Sequence, residues 1–331
     1  MSILIIAEAG VNHNGNLDLA RELISVASAS GADFVKFQTF SADKLVTRYA
    51  QKAKYQITES SDIESQHEML KKLELSSSQL IELMQYADSV GIKLISTAFD
   101  SESADTLLEL GQTIFKIPSG EITNLPYLRH VGSFRKSILL STGMSDMQEI
   151  RNAVDVLVES GTSKSDITVL HCTSAYPAPY PEVNLNAMQT IRDSLEIAVG
   201  YSDHTLGIEV AIAAAALGAR VIEKHFTLNK NLPGPDHKSS LDPRELVQMV
   251  SAIRNIECAL GREVKVIQKC EFENRDLARK SVVAAKQIAR GELFSEDNLA
   301  TKRPGTGISP MAWEILLGSQ SLKDYDIDDF I

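Results

Sequence analysis

The feature that most constrains this chain is a rhythm. Short apolar runs of strand length alternate with helix-like stretches eight times before about residue 260. The strand-like runs fall at residues 3–9, 34–37, 93–98, 113–117, 137–140, 167–170, 196–199 and 220–222. Asn16 or Asp18 can cap the first helix and Gly31 ends it; Asp242 caps the last, with Pro243 at its first position. Residues 41–75 break the rhythm as a long polar insertion with helix-prone patches, expected to decorate one βα loop. Eight βα units over this length are what a (β/α)8 TIM barrel requires. An open doubly wound sheet is the structural rival, but its Gly-rich nucleotide fingerprint is missing.

Polar residues follow the apolar runs and do not precede them: Glu8, Asn12, His13, Gln38, Ser119, Glu121, Ser141, Thr142, Tyr176, Ser202, His204 and His225. In a barrel these positions share the C-terminal rim, where active sites lie. Two of them stand out. His204 in GYSDHTLG and His225 in VIEKHFTL end successive units, so two imidazoles reach adjacent strand ends. Such a pair suits Mn2+, Fe2+, Co2+ or Zn2+, with water or substrate oxygens completing the shell. Two ligands are too few for a closed structural site, so an open catalytic one fits better. Asp203 can orient His204 or form a local turn, and Glu223 shares a strand face with His225.

Lys36 and Lys116 sit in strands otherwise built of Val, Phe and Ile. Lysine is seldom buried unpaired, so both call for an anion, with Ser119, Ser141 and Ser202 as added donors. Glu8, Asn12, Gln38, Glu121, Tyr176 and Asp236 can hydrogen-bond hydroxyls or an amide, as a sugar needs. A carboxylate such as Glu121, near bound anions, is expected to have a raised pKa suited to acid/base work. Asn12 and His13 can equally belong to a strained turn.

The rest of the chain bounds the setting. The formal net charge of −11 argues against sequence-independent nucleic-acid binding. The N-terminal apolar run has no basic flank and is too short for a signal peptide or membrane span. Cys172, Cys258 and Cys270 form no CxxC pair, so a reducing cytoplasm is expected. The expected organisation is a catalytic barrel at 1–261, a charged irregular linker at 262–280, and a small β-rich module at 281–331.

The motifs IAEAGVNHNG, VKFQTF, KIPSGEITNLPYL, LSTGM, HCTSAYP, GYSDHTLG, IEKHFTL, GPDHKSSL and KRPGTGISP occur in this order across the chain. Together they resemble the bacterial sialic acid synthase family. Its members condense phosphoenolpyruvate with an acylamino-hexose to make nine-carbon nonulosonic acids. The C-terminal module resembles the antifreeze-like SAF domain. The resemblance implies that His204 and His225 hold a divalent metal, usually manganese, that polarises the aldehyde of the open-chain sugar. It implies phosphoenolpyruvate contacts at Lys36, Lys116, Ser119, Ser141 and Ser202, and sugar contacts at Glu8, Gln38, Tyr176 and Asp236. Glu121 matches the carboxylate that manages the proton of the attacking water. Arg303 of one subunit would complete the sugar site of its neighbour in a homodimer. Ser174 stands where some members carry Asn, a contact to the sugar hydroxyls.

The expected sugar is N-acetylmannosamine, giving N-acetylneuraminate. The alternative is a 2,4-diacetamido-trideoxy sugar, giving legionaminic acid. An eight- or seven-carbon sugar-acid synthase acting on a phosphorylated aldose would need a second cationic cluster, which is not found. A non-catalytic carbohydrate-binding protein would have no need of paired histidines beside internal lysines.

Overall fold

The computed structural model describes residues 2–53, 56 and 64–331. Four parallel strands, β1 (Leu4–Gly10), β2 (Phe34–Thr39), β3 (Lys93–Ala98) and β4 (Ile114–Ile117), lead the first unit. They continue through β5 (Ser137–Ser141), β6 (Ile167–Cys172), β7 (Ala198–Asp203) and β8 (Val221–His225), and β8 pairs with β1 to close the barrel. The expected TIM barrel is therefore present.

The helices start and stop where local chemistry directs. Asn16, not Asp18, caps α1 (Leu17–Ser30), accepting from the Asp18 and Leu19 N–H groups, and Gly31 ends it at φ 79°. The β2–β3 connection carries α2 (Ala42–Leu45) and α3 (Gln66–Lys71) before α4 (Ser77–Ser89). Then follow α5 (Ser101–Glu109), α6 (Leu125–Ser133), α7 (Met147–Glu159), α8 (Ala187–Leu195) and α9 (Glu209–Ala216). Finally α10 (Pro243–Leu260) begins with an Asp242–Glu245 capping box and Pro at its first turn. No helix among the described residues is long and apolar enough to cross a membrane.

Alternate residues of each strand enter the barrel. Ile6, Ile95, Leu139, Leu170 and Val221 form a buried apolar layer, with Leu4, Phe34 and Ile114 packed against it. Two residues further along these strands come Glu8, Lys36, Thr97, Lys116, Ser141, Cys172 and Glu223. The barrel thus has an apolar floor and a polar storey above it. The sequence reading ended β6, β7 and β8 too early, because polar residues interrupt the apolar runs. In the closed barrel Cys172, Ser202, Glu223 and His225 face inward, their neighbours Asp203 and Lys224 face outward, and the backbone ladder continues beneath them.

The chain divides into two compact units, Met1–Gly261 and Arg262–Ile331. In the second, β9 (Ser281–Ala284) pairs antiparallel with β10 (Leu299–Lys302) over a core of Val282, Ala284, Ile288, Phe294 and Leu299. Its helices are short: α11 (Phe272–Ala278) and α12 (Trp313–Leu316). Residues 262–280, expected to be irregular, thus contain α11, preceded by the 3-10 turn Lys269–Glu271.

Gly200 of β7 belongs to the crowded floor. A β-carbon there would stand 2.5 Å from the Val221 carbonyl oxygen and 2.6 Å from Leu170 Cδ2. Gly200→Ala should therefore cost about 1–3 kcal/mol of stability by overpacking. A thermal melt indistinguishable from wild type would show that the floor has slack.

Candidate active site

Above the floor, a cavity of about 460 Å3 opens at the C-terminal end of the strands. Its deepest polar groups form one ionic network. Lys36 Nζ lies 2.8 Å from Glu8 Oε2 and 3.6 Å from Glu223 Oε2, and it donates to Thr97 Oγ1 at 2.8 Å. Lys116 Nζ donates to Glu223 Oε1 at 2.7 Å, and Ser202 Oγ donates to the same oxygen at 2.8 Å. Strand register assembles the set, since Glu8 is level with Lys36, Thr97 with Lys116, and Ser202 with Glu223.

Internal lysines needed an anion, and the chain itself supplies one in Glu223. Burial acts to raise the Glu223 pKa, but Lys116 and Lys36 override it and hold the carboxyl well below its ordinary range. Burial likewise disfavours charge on Lys36, yet Glu223 and Glu8 outweigh it and raise its pKa. Glu8 is pushed up to about 7, by burial first and by the neighbouring Glu223 charge, against the pull of Lys36. Asp236, also lining the cavity, is pushed up to about 6 by burial.

The two histidines stand above this network. Their ring centroids are 5.6 Å apart, and the Tyr176 ring lies 4.2 Å from His204 and 5.9 Å from His225. His204 Nδ1 donates to the Thr173 carbonyl at 2.8 Å, with Cys172 Sγ at 3.6 Å. That bond fixes the tautomer and leaves the Nε2 lone pair available. Among the described residues His225 Nδ1, which is buried, finds no hydrogen-bond partner; Asp236 Oδ2 lies 4.0 Å away. Burial, with the Lys36 charge adding to it, holds the His225 pKa well below normal, so its imidazole is neutral. Among the described residues no group of three or more His, Cys, Asp or Glu side chains converges on an ion position. The donor set therefore fits an open two-imidazole site, with oxygens of water or substrate filling the remaining positions.

Asp203 plays the turn role. Its oxygens accept from the Thr205 N–H and hydroxyl at 2.9 and 2.8 Å and pair with Lys224 Nζ at 2.7 Å. Glu8, Lys36, Gln38, Lys116, Ser119, Ser141, Ser174, Tyr176, Ser202, His204, His225 and Asp236 all line the cavity. Glu121 does not. It is half-buried in the turn Ser119–Glu121, one residue beyond the lining Gly120, and accepts from Asn124 Nδ2 at 2.6 Å. Arg303 is exposed, following β10 in the second unit.

A profile of the NeuB family matches residues 23–265. The chain belongs to the NeuB family. A SAF-domain profile matches residues 279–324. The N,N'-diacetyllegionaminic acid synthase of Campylobacter jejuni is 54% identical over 328 residues, 99% of this chain and 98% of that protein. A synthase of the same name from Legionella pneumophila is 50% identical over 97% of this chain and 90% of its own length. Among solved structures, the N-acetylneuraminic acid synthetase of Leptospira borgpetersenii, in complex with citrate, superimposes with a TM-score of 0.72 at 31% identity. That match covers 83% of this chain and 90% of the other.

Two parts of this NeuB-family site escaped the sequence reading. Glu223 was seen as a face-mate of His225 but not as counter-ion to two lysines, which only barrel closure brings to it. One cavity wall comes from the insertion after β2, where apolar residues lay hidden in a polar stretch. Asn12 and His13 belong to the supporting turn. Asn12 Nδ2 donates to the Phe226 carbonyl and to Ser240 Oγ, while His13 Nδ1 accepts from the Gly15 N–H at 3.0 Å.

Burial lowers the pKa of His13 to about 4 from the ordinary 6.5. On acidification the unfolded chain takes up this proton first, so the stability contribution is intact above about 6.5 and is lost as pH falls through 4. Denaturant titrations at neutral and acidic pH should show His13→Asn losing less stability than wild type over that interval. Equal losses would contradict a buried neutral imidazole.

Proposed function

We propose that this NeuB-family enzyme is a nonulosonate synthase joining phosphoenolpyruvate, water and 2,4-diacetamido-2,4,6-trideoxymannose to give N,N'-diacetyllegionaminate and phosphate. The observation that carries the reaction class is the stacking of the site. Two imidazoles with available nitrogens stand over a lysine pair in one cavity. The support for this sugar is the relatives of that name at 54% and 50% identity, which favour it over the N-acetylmannosamine expected from the motifs.

In this reading Lys36 and Lys116, with Ser119, Ser141 and Ser202, receive the phosphate and carboxylate of phosphoenolpyruvate. Both lysines are already oriented, Lys36 by Glu8 and Lys116 by Glu223, so little reorganisation accompanies binding. His204 and His225 hold a divalent ion, manganese by resemblance, which supplies a Lewis acid for the aldehyde oxygen. Gln38, Ser174, Tyr176, Asp236 and Glu8 orient the sugar so that its C1 faces C3 of phosphoenolpyruvate. The C3–C1 bond forms as the alkene electrons move to the aldehyde carbon and the carbonyl π pair moves to its oxygen, leaving C2 electron-poor; the two protons of the water that follows end on this new hydroxyl and on the departing phosphate. Water then adds at C2, and the C2–oxygen bond to phosphate breaks. Glu121 is assigned the proton of that water by resemblance alone, and must turn from Asn124 past Gly120 to reach the cavity. Arg303 is assigned to a neighbouring subunit's sugar site in a homodimer on the same basis.

Phosphate release from phosphoenolpyruvate, with Mn2+ and each sugar in turn, tests the proposal. The diacetamido sugar should give the highest kcat/KM, and chelation should stop turnover until Mn2+ is restored. His204→Ala or His225→Ala should lower the rate by about a hundredfold or more while leaving the melting temperature near wild type. Release with N-acetylmannosamine alone would reassign the sugar, and no release with any acylamino sugar would sink the reaction.

A further inference from the structure

The part of the cavity wall built by the β2–β3 connection differs in chemistry from the charged barrel storey below the histidines. Leu45, Val46, Met69, Leu70 and Leu73, all from the β2–β3 connection, line it together with Phe99 after β3. In a closed ring of eight strands, β3 stands directly across from β7, the strand that His204 follows. The wall is held firmly. Glu74 Oε1 accepts from the Ala42 N–H at 2.7 Å, His67 Nε2 meets Asp43 Oδ1 at 2.9 Å, and Met69, Leu70 and Leu73 pack with Val11, Phe40 and Ala42. Among the described lining residues, the polar groups of this connection are the neutral amides of Gln56 and Gln66; the charges belong to the barrel storey and Asp236.

We infer that this wall is a specificity surface that selects a sugar whose terminal carbon is a methyl group. The inference rests on the proposed synthase reading. With the aldehyde carbon held at the imidazoles, the sugar chain runs across the barrel mouth, and its far end meets the apolar wall. A methyl group buries there without penalty. A terminal hydroxymethyl set against Leu45, Val46, Met69, Leu70 and Leu73 would lose its water partners, and a phosphate would bring charge against hydrocarbon. The discrimination is of the size a hydrophobic pocket achieves against one added hydroxyl, about 10- to 100-fold.

The test uses the full-length enzyme with a matched pair: 2,4-diacetamido-2,4,6-trideoxymannose and its 6-hydroxy counterpart, 2,4-diacetamido-2,4-dideoxymannose. Wild type should favour the 6-deoxy sugar by at least about tenfold in kcat/KM. Val46→Thr, a same-sized change at a half-buried position, and Leu70→Gln should each reduce that ratio by about threefold or more, chiefly by weakening use of the 6-deoxy sugar. Because the readout is a ratio within one protein, a general loss of folded enzyme does not imitate it. Equal use of both sugars by wild type, or an unchanged ratio in both variants, would overturn the inference while leaving the synthase reading intact. Failure of wild type to release phosphate with any acylamino sugar would instead remove the reading on which the inference rests.

Discussion

The site depends on one constraint: lysines inside a barrel must be kept charged. Lys36 and Lys116 are nearly excluded from water, and a buried charge without a partner is costly. Glu223 lies between them and Glu8 flanks Lys36, so each ammonium has a carboxylate within 2.8 Å. The arrangement is a set of buried ion pairs, and removing one partner from such a pair is far more damaging than its net contribution suggests. Geometry makes it affordable, because strand register brings the groups level and Thr97 and Ser202 fill remaining hydrogen-bond positions.

That network also explains the order of the layers. The apolar floor of Ile6, Ile95, Leu139, Leu170 and Val221 excludes water from below. The charged storey rests on it, the imidazoles and Tyr176 come next, and the wall of the β2–β3 connection rises at the mouth. In the proposed reaction the anionic substrate takes the depth of the cavity, at the lysines, and the neutral sugar lies nearer the rim.

Much of this could be read from residues alone. Eight apolar runs alternating with helical patterns leave few architectures, and polar residues clustering after those runs point to the C-terminal rim. His204, His225, Lys36 and Lys116 stood out because imidazoles at successive strand ends and lysines amid Val, Phe and Ile are poor choices for packing alone. Strand ends were harder to read. Ser202, Glu223 and His225 are polar, and an apolar-run criterion stops before them although the ladder does not. Asp203 left two readings open for a similar reason: adjacency to His204 in sequence allows contact, whereas the strand period turns it to the opposite face, toward Lys224.

The sequence by itself determined the barrel, through hydrophobic period, and the presence of a histidine pair and an internal lysine pair, through residue types that resist burial. Only the tertiary structure decided which groups answer one another. Glu223 meets Lys116 from 107 positions away, and the residues of the β2–β3 connection meet the mouth across from β7, because closing the barrel joins strands distant in the chain. Periodicity reports which way a side chain faces along its own element. It carries no information about what stands opposite, and in this protein the site is made of what stands opposite.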